Sequence, residues 1–243
     1  MKSRNVSQHI SQQYNEELET LREQVMAMGG LVEKQLQDAI DSLINMDATK
    51  ARIIVSQDAL VNALEVKIDE ECSRVLAKRQ PAAGDLRLII AIIKTVTDLE
   101  RVGDEAEKIA RMTVEIVEDS PLIKPMERHL KGINNLGKHV IIMLRNCLDA
   151  FARMDVDAAM EVAHLELDVD QQYGALMRQL ITYMIEDPRS ISSILDVTWA
   201  ARALERVGDH ANNIAEYTIY LVKGKDVRHI TVEQMEKIAN TKR

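Results

Sequence analysis

The sequence predicts an all-α chain folded as two tandem three-helix bundles related by internal duplication. Three observations predict it. First, turn formers and aromatics are scarce: 9 glycines and 4 prolines in 243 residues, with aromatics at 3%. A β-rich chain of this length needs many of both. Second, apolar residues recur at three- and four-residue steps over most of the length, as an amphipathic helix requires. Third, a twelve-residue segment appears twice, once near the end of each half.

The first helix is entered after Ser7 and runs to about Asn45, on the stripe Ile10, Tyr14, Leu18, Leu21, Val25, Met28, Val32, Leu36, Ala39 and Leu43. Asp47 restarts a second, with Ile54, Gln57, Val61, Leu64, Ile68, Cys72 and Val75 on one face. Gln80-Pro81-Ala82-Ala83-Gly84 breaks it, because proline disfavours helix in the residue before it. Asp85 opens a third helix through about Val117. Its run Leu86–Val96 looks like a buried strand, but the continuation in helical register to Ile116 assigns it to helix. Ser120-Pro121-Leu122-Ile123-Lys124-Pro125 holds two of the four prolines and divides the chain into 1–120 and 121–243. Beyond it Ile133, Leu136, Val140, Leu144, Cys147, Phe151 and Met154 mark a fourth helix, and Val162, Leu165, Val169, Leu176 and Leu180 a fifth. Asp187-Pro188-Arg189 ends that one, Ser190 leads into a sixth that stops near Gly224, and a polar tail from Val232 forms a short helix or frays.

Charge and composition exclude several functions. With 39 acids against 31 bases the net charge is −8, the opposite of a nucleic-acid footprint. The most apolar stretch, Leu88–Ile93 between Arg87 and Lys94, is far short of the ~20 residues of a membrane span. The N-terminus lacks a signal-peptide core, and the two cysteines, Cys72 and Cys147, sit in helical stripes as small apolar fillers. A cytoplasmic protein, peripheral to membranes only through partners, is expected. There is no P-loop, no dinucleotide fingerprint and no nucleophilic triad.

The repeated segment carries the chemistry. Leu99-Glu100-Arg101-Val102-Gly103-Asp104-Glu105-Ala106-Glu107-Lys108-Ile109-Ala110 matches Leu204-Glu205-Arg206-Val207-Gly208-Asp209-His210-Ala211-Asn212-Asn213-Ile214-Ala215 at nine of twelve positions. A fainter echo sets Asp58-x-x-Val61-Asn62 against Glu166-x-x-Val169-Asp170. Acids four apart share a helix face, and like charges at that spacing cost a few tenths of a kcal/mol unless something positive lies between them. Glu65/Asp69, Glu100/Asp104, Glu166/Asp170 and Glu205/Asp209 are such pairs, most of them one position past an apolar stripe residue, so that two helices can bring them together at a groove. For any single pair taken alone, a solvated acidic face is the default reading. Gly103 and Gly208, between the acids of both copies, point to close backbone approach or to room for something bound, since glycine costs ~1 kcal/mol in a helix. Clustered carboxylates without converging His or Cys suit Mg²⁺, Ca²⁺, Mn²⁺ or iron better than structural zinc. Arg101 finds an ordinary partner in Glu105 at i+4, whereas Arg206 meets His210 there and needs a partner elsewhere. His210 reads as structural, and Trp199 with the second-half tyrosines as core first and a partner surface second.

The paired L-E-R-V-G-D-x-A-x-x-I-A segments, with Arg79-Gln80-Pro81…Asp85-Leu86-Arg87 and the Val222-Lys223-Gly224 ending of the sixth helix, resemble the PhoU family over essentially the whole chain. The resemblance implies two PhoU-like three-helix bundles, the second with a short C-terminal tail. It implies a cytoplasmic, non-enzymatic negative regulator of phosphate uptake and starvation signalling. Such a regulator acts with a phosphate ABC transporter, through its ATPase subunit, and with a sensor histidine kinase, commonly as a homodimer. It further implies that metal cations (Mg, Mn, Fe or Zn) are held by Glu100 and Asp104 in the first half and by Glu205 and Asp209 in the second. The middle helices would add Glu65, Asp69, Glu166 and Asp170. Where the first copy continues with Lys108 and Arg111, the second has Asn213 and Glu216, which extends the second site to Glu216 and leaves Arg111 to neutralise the first. The competing class is a carboxylate-bridged metal-storage or metal-oxidising bundle, but those use Glu-x-x-His pairs, and none recurs at matching positions.

Overall fold

The structure, a computed structural model, describes residues 2–119 and 127–241, and the side chains among them except those of 2–11, 119 and 127–129. The described residues form seven α-helices: α1 (Lys2–Ile44), α2 (Ala48–Arg79), α3 (Ala83–Asp119), α4 (Glu127–Arg153), α5 (Val156–Glu186), α6 (Ile191–Lys223) and α7 (Val232–Ala239). The dividing segment Ser120–Pro125 lies outside the described residues.

Local chemistry sets the ends. Asp47 caps α2 by accepting from the Lys50 amide at 2.9 Å, and Asp155 caps α5 by accepting from Ala158 at 3.0 Å. Each cap follows a methionine in the left-handed region, Met46 and Met154, both at φ 53°. Each cap residue also donates its own amide back into the preceding helix, Asp47 to Ser42 O and Asp155 to Ala150 O. The duplication therefore reaches into the hinges, where two non-glycine residues hold the same unfavourable backbone. α2 ends on Gln80, also left-handed, and α6 on Gly224 at φ 71°, where glycine carries no steric penalty. Pro188 opens a single 3₁₀ turn between α5 and α6. Thr231 and Gln234 make a reciprocal capping box, so the polar tail begins as an ordered helix. Two starts differ from expectation. α1 reaches back to Lys2, and α3 begins at Ala83, because residues 82–84 carry no proline and tolerate a first turn.

α1–α2–α3 and α4–α5–α6 each form a bundle. The bundles join side by side, α3 along α6 and α1 along α4, with α2 and α5 on the outer flanks. Leu21, Val25, Met28, Val32 and Leu36 are fully buried along α1, and the buried apolar residues of both halves form one continuous cluster. Each such side chain stabilises the fold by roughly 1.5–3 kcal/mol through burial. Cys72 and Cys147 are free thiols within this cluster. No helix among the described residues is long and apolar enough to cross a membrane.

The seam between the halves is partly polar. Asp98 of α3 is buried and accepts three hydrogen bonds from α6: His210 Nδ1 at 2.7 Å, Asn213 Nδ2 at 3.1 Å and Tyr217 Oη at 2.8 Å. Two turns along α3, buried Glu105 takes Arg206 of α6 and Lys108 of its own helix, each at 2.9 Å. Arg206 thus finds its partner across the seam, and Glu105 pairs there rather than with Arg101.

Candidate functional site

Each half places its acids where its middle and third helices meet. In the second half, α5 presents Glu166 and Asp170, and α6 presents Glu205, Asp209 and Glu216. One oxygen each of Asp170, Glu205 and Asp209 lie within 4.8 Å of one another. Among the described residues this is the group of three acidic, His or Cys ligands so gathered. Glu205 Oε1 meets Arg202 Nη1 at 2.5 Å, while its Oε2 is buried with no partner. The environment disfavours charge at Glu166, Glu205, Asp209 and Glu216. Glu166 is raised by burial and then by Asp170, Glu205 by burial and Asp209, and Asp209 by burial and Asp170. Glu216, buried, is pushed up to about 7 by desolvation first and then by Glu166.

In the first half, α2 presents Asp58, Asn62, Glu65 and Asp69, and α3 presents Glu100, Asp104, Glu107 and Arg111. Glu100 is raised by burial, Asp104 and Glu65, and Glu65 by burial, Asp69 and Asp104. Asp104 is raised by burial and Asp58, and Asp69 by burial. Two residues outside the expected set sit at the middle of this cluster. Asp58 is buried, accepting from Gln35 Nε2 of α1 at 3.1 Å and from Asn62 Nδ2 at 3.2 Å. The amide oxygen of Gln35, Oε1, is buried without a partner. Asp58 was legible in the echo that matches it to Glu166. Gln35 gives no sequence signal, since it stands one position before Leu36 in a long amphipathic helix. Carrying the same offset forward sets Tyr173 and Met177 at the places of Glu65 and Asp69, so that acid pair belongs to the first half alone.

The interior glycines resolve to close approach. A Cβ on Gly103 would lie 3.2 Å from Val61 Cγ1, 3.4 Å from Asp58 Oδ1 and 3.5 Å from Gln35 Oε1. One on Gly208 would lie 3.2 Å from Val169 Cγ1 and 3.8 Å from Met143 Sδ. In both halves the glycine lets the third helix settle onto the middle one, which brings the acids of the two helices together. Arg111 reaches Glu107 at 2.5 Å, and the charges of Asp58 and Asp104 also raise it. His210 serves the seam through Asp98. Trp199 is not core: it stands outward on α6, 62% exposed.

The donor set is oxygen-only, crowded and short of counter-charge in the second half, and an unpartnered buried carboxylate oxygen belongs to the gathered trio. Those properties fit a hard cation of the Mg²⁺, Mn²⁺ or iron class, and fit zinc less well.

Comparison with known proteins follows the same division. A family model described as the PhoU domain matches twice, at residues 25–113 and 133–218. The chain is 50% identical over 238 residues to the phosphate-specific transport system accessory protein PhoU homolog of Pseudomonas aeruginosa, covering 98% of this chain and 97% of that one. It is 48% identical over 238 residues to the phosphate-specific transport system accessory protein PhoU of Escherichia coli K12, again 98% and 97% of the two chains. The crystal structure of PhoU from Pseudomonas aeruginosa superposes with a TM-score of 0.83 at 50% identity, over 87% of this chain and 100% of that one.

Proposed function

The chain belongs to the PhoU family, and from that premise we propose that it is the accessory regulator of a phosphate-specific transport system. Likeness along nearly the whole chain to proteins named for that role carries the reading. It acts as a non-enzymatic cytoplasmic adaptor. With phosphate plentiful it restrains uptake by the transporter, through the ATPase subunit, and holds a sensor histidine kinase in its repressing state. A rigid double bundle suits such work, since it offers long, fixed helix faces rather than a cleft for chemistry. The homodimer is the working form. The carboxylates at the α5–α6 junction, Asp170, Glu205 and Asp209 with Glu166 beside them, hold a metal cation. The bound charge fixes the spacing of the two helices that present it. Glu100 and Asp104, with Glu65 and Asp69, form the corresponding weaker site.

Deleting the gene should raise phosphate-starvation transcripts in phosphate-rich medium; unchanged repression would remove the regulatory assignment. Elemental analysis of protein isolated without added metal should find a bound cation that Glu205→Ala/Asp209→Ala loses. Equal metal content in the variant would remove the metal assignment and leave the adaptor role standing. Catalysed oxidation of Fe(II) would move the protein to the class of metal-oxidising bundles.

A further inference from the structure

Beyond the carboxylate face, the α3–α6 seam opens outward into a groove of about 350 Å³ lined by Glu105, Lys108, Met112, Trp199, Arg202 and Arg206. Three cations and one acid make it a positive patch on a chain of net charge −8. Its one carboxylate, Glu105, is buried and shared between Lys108 and Arg206, so the outer faces of both cations remain toward solvent. Arg202 pairs with Glu205 and keeps about half of its side chain exposed. Trp199, the only tryptophan in the sequence, is among the most exposed large apolar residues. It continues an exposed ridge one and two turns toward the start of α6, through Leu195 and Ile191. Residues at i, i+4 and i+8 share a helix face, and from Ile191 to Arg206 the face runs roughly 22 Å. Apolar side chains held outward at helical spacing, ending in a cationic groove, match the pattern of a helix-in-groove contact.

We infer that this face docks an acidic amphipathic helix of a partner protein, its apolar stripe laid along Ile191, Leu195 and Trp199 and its carboxylates over Lys108, Arg202 and Arg206. Charge decides the occupant. A second copy related by a two-fold axis through the groove would set these three cations against themselves, which opposes self-association there. A nucleotide would put its phosphates beside the Glu105 carboxylate and leave the apolar ridge uncovered. An acidic helix satisfies both parts at once, and an exposed tryptophan beside arginines is the composition of an interface hot spot. The inference rests on the adaptor reading only for the partner being a protein. The deletion strain tests that reading and the experiment below tests the groove, so either can fail alone.

The test is selection of displayed peptides of about sixteen residues, enough for four turns, against the intact protein. Selected peptides should be rich in Asp and Glu, with apolar residues three or four apart, and should shift the emission of Trp199 to shorter wavelength. Trp199→Ala should weaken them about tenfold or more, and Arg202→Gln/Arg206→Gln by a similar factor. Trp199→Phe should restore part of the affinity, and rising salt should weaken the wild-type complex. Because Trp199 is exposed, the alanine variant keeps its helical circular dichroism. Recovery of basic or uncharged peptides, of peptides that ignore Trp199→Ala, or of none at all would overturn the inference. So would displacement of the peptide by a nucleoside triphosphate, or a dimer that Trp199→Ala dissociates in sedimentation.

Discussion

The two carboxylate clusters descend from one repeat, yet they handle their charge in opposite ways. At the matched place on the third helix the first half carries Arg111 and the second carries Glu216. Arg111 reaches Glu107 and lies in the field of Asp58 and Asp104, so a covalently attached cation accompanies the acids. Glu216 is instead a buried carboxyl pushed up to about 7 beside Glu166, which adds to the excess of acid. The first cluster also ties up Asp58 with two amide donors, whereas the second leaves an oxygen of Glu205 without any. Duplication supplied two equal frames, and single positions then set an arginine beside the acids of the first and a further buried carboxyl beside those of the second.

That contrast supposes two halves held in fixed register, and the largest effect should come from breaking the seam. Asp98→Ala removes one carboxylate and leaves His210, Asn213 and Tyr217 facing a buried gap. Urea denaturation should show a loss of about 3–5 kcal/mol, with Asp98→Asn losing less because it keeps an acceptor. The next effect concerns Glu216 in chelator-treated protein. Its folded pKa, about 7, lies above the ordinary glutamate value of 4.5, so between those pH values the folded state holds a proton that the unfolded chain releases. The resulting stability is fully present below the unfolded value and is lost as pH rises through 7, by about 3 kcal/mol at most. Melting temperatures from pH 5 to 8 should therefore fall in the wild type and flatten in Glu216→Gln.

Cation binding sharpens the comparison directly. Glu205→Ala/Asp209→Ala should weaken Mn²⁺ affinity about a hundredfold by titration calorimetry, and Glu100→Ala/Asp104→Ala only a few-fold. Equal losses would erase the difference between the halves. The smallest effect lies at the glycines. Alanine gains ~1 kcal/mol of helix propensity at either place. At either place its methyl would crowd a valine at 3.2 Å, Val61 or Val169, but at Gly103 it would also lie against oxygens of Asp58 and Gln35, whereas at Gly208 the next neighbour is a flexible methionine. Gly208→Ala should accordingly be the more stable of the two by about 0.5 kcal/mol, measured by thermal melts.

Much of this was legible in the sequence because helices advertise themselves locally. Stripes, Asp47 and the proline breaks located the six long helices, though several begin up to six residues earlier than the stripes mark, and the repeated E-x-x-x-D segment pointed to acids that the fold gathers. What stayed hidden depends on contacts between distant elements. Asp98 looks like any acid on a helix, since its donors stand more than a hundred positions away on α6. Gln35 differs from a surface glutamine only through its neighbour Asp58. Trp199 reads as core by residue type, yet the fold leaves it largely exposed at the rim of the α3–α6 groove. Spacing shows which residues share a face; packing decides what that face meets.

The two cysteines have a practical consequence. Cys72 in α2 and Cys147 in α4 are fully buried, and burial pushes the first thiol up to about 12 and the second higher still. Neither reacts until its helix leaves the bundle, so each half carries its own clock: the rate at which a thiol reagent consumes Cys72 or Cys147 counts the openings of that half. Adding cation should slow such a clock only where the cation binds, which lets an unmodified chain report which of its two halves has been loaded.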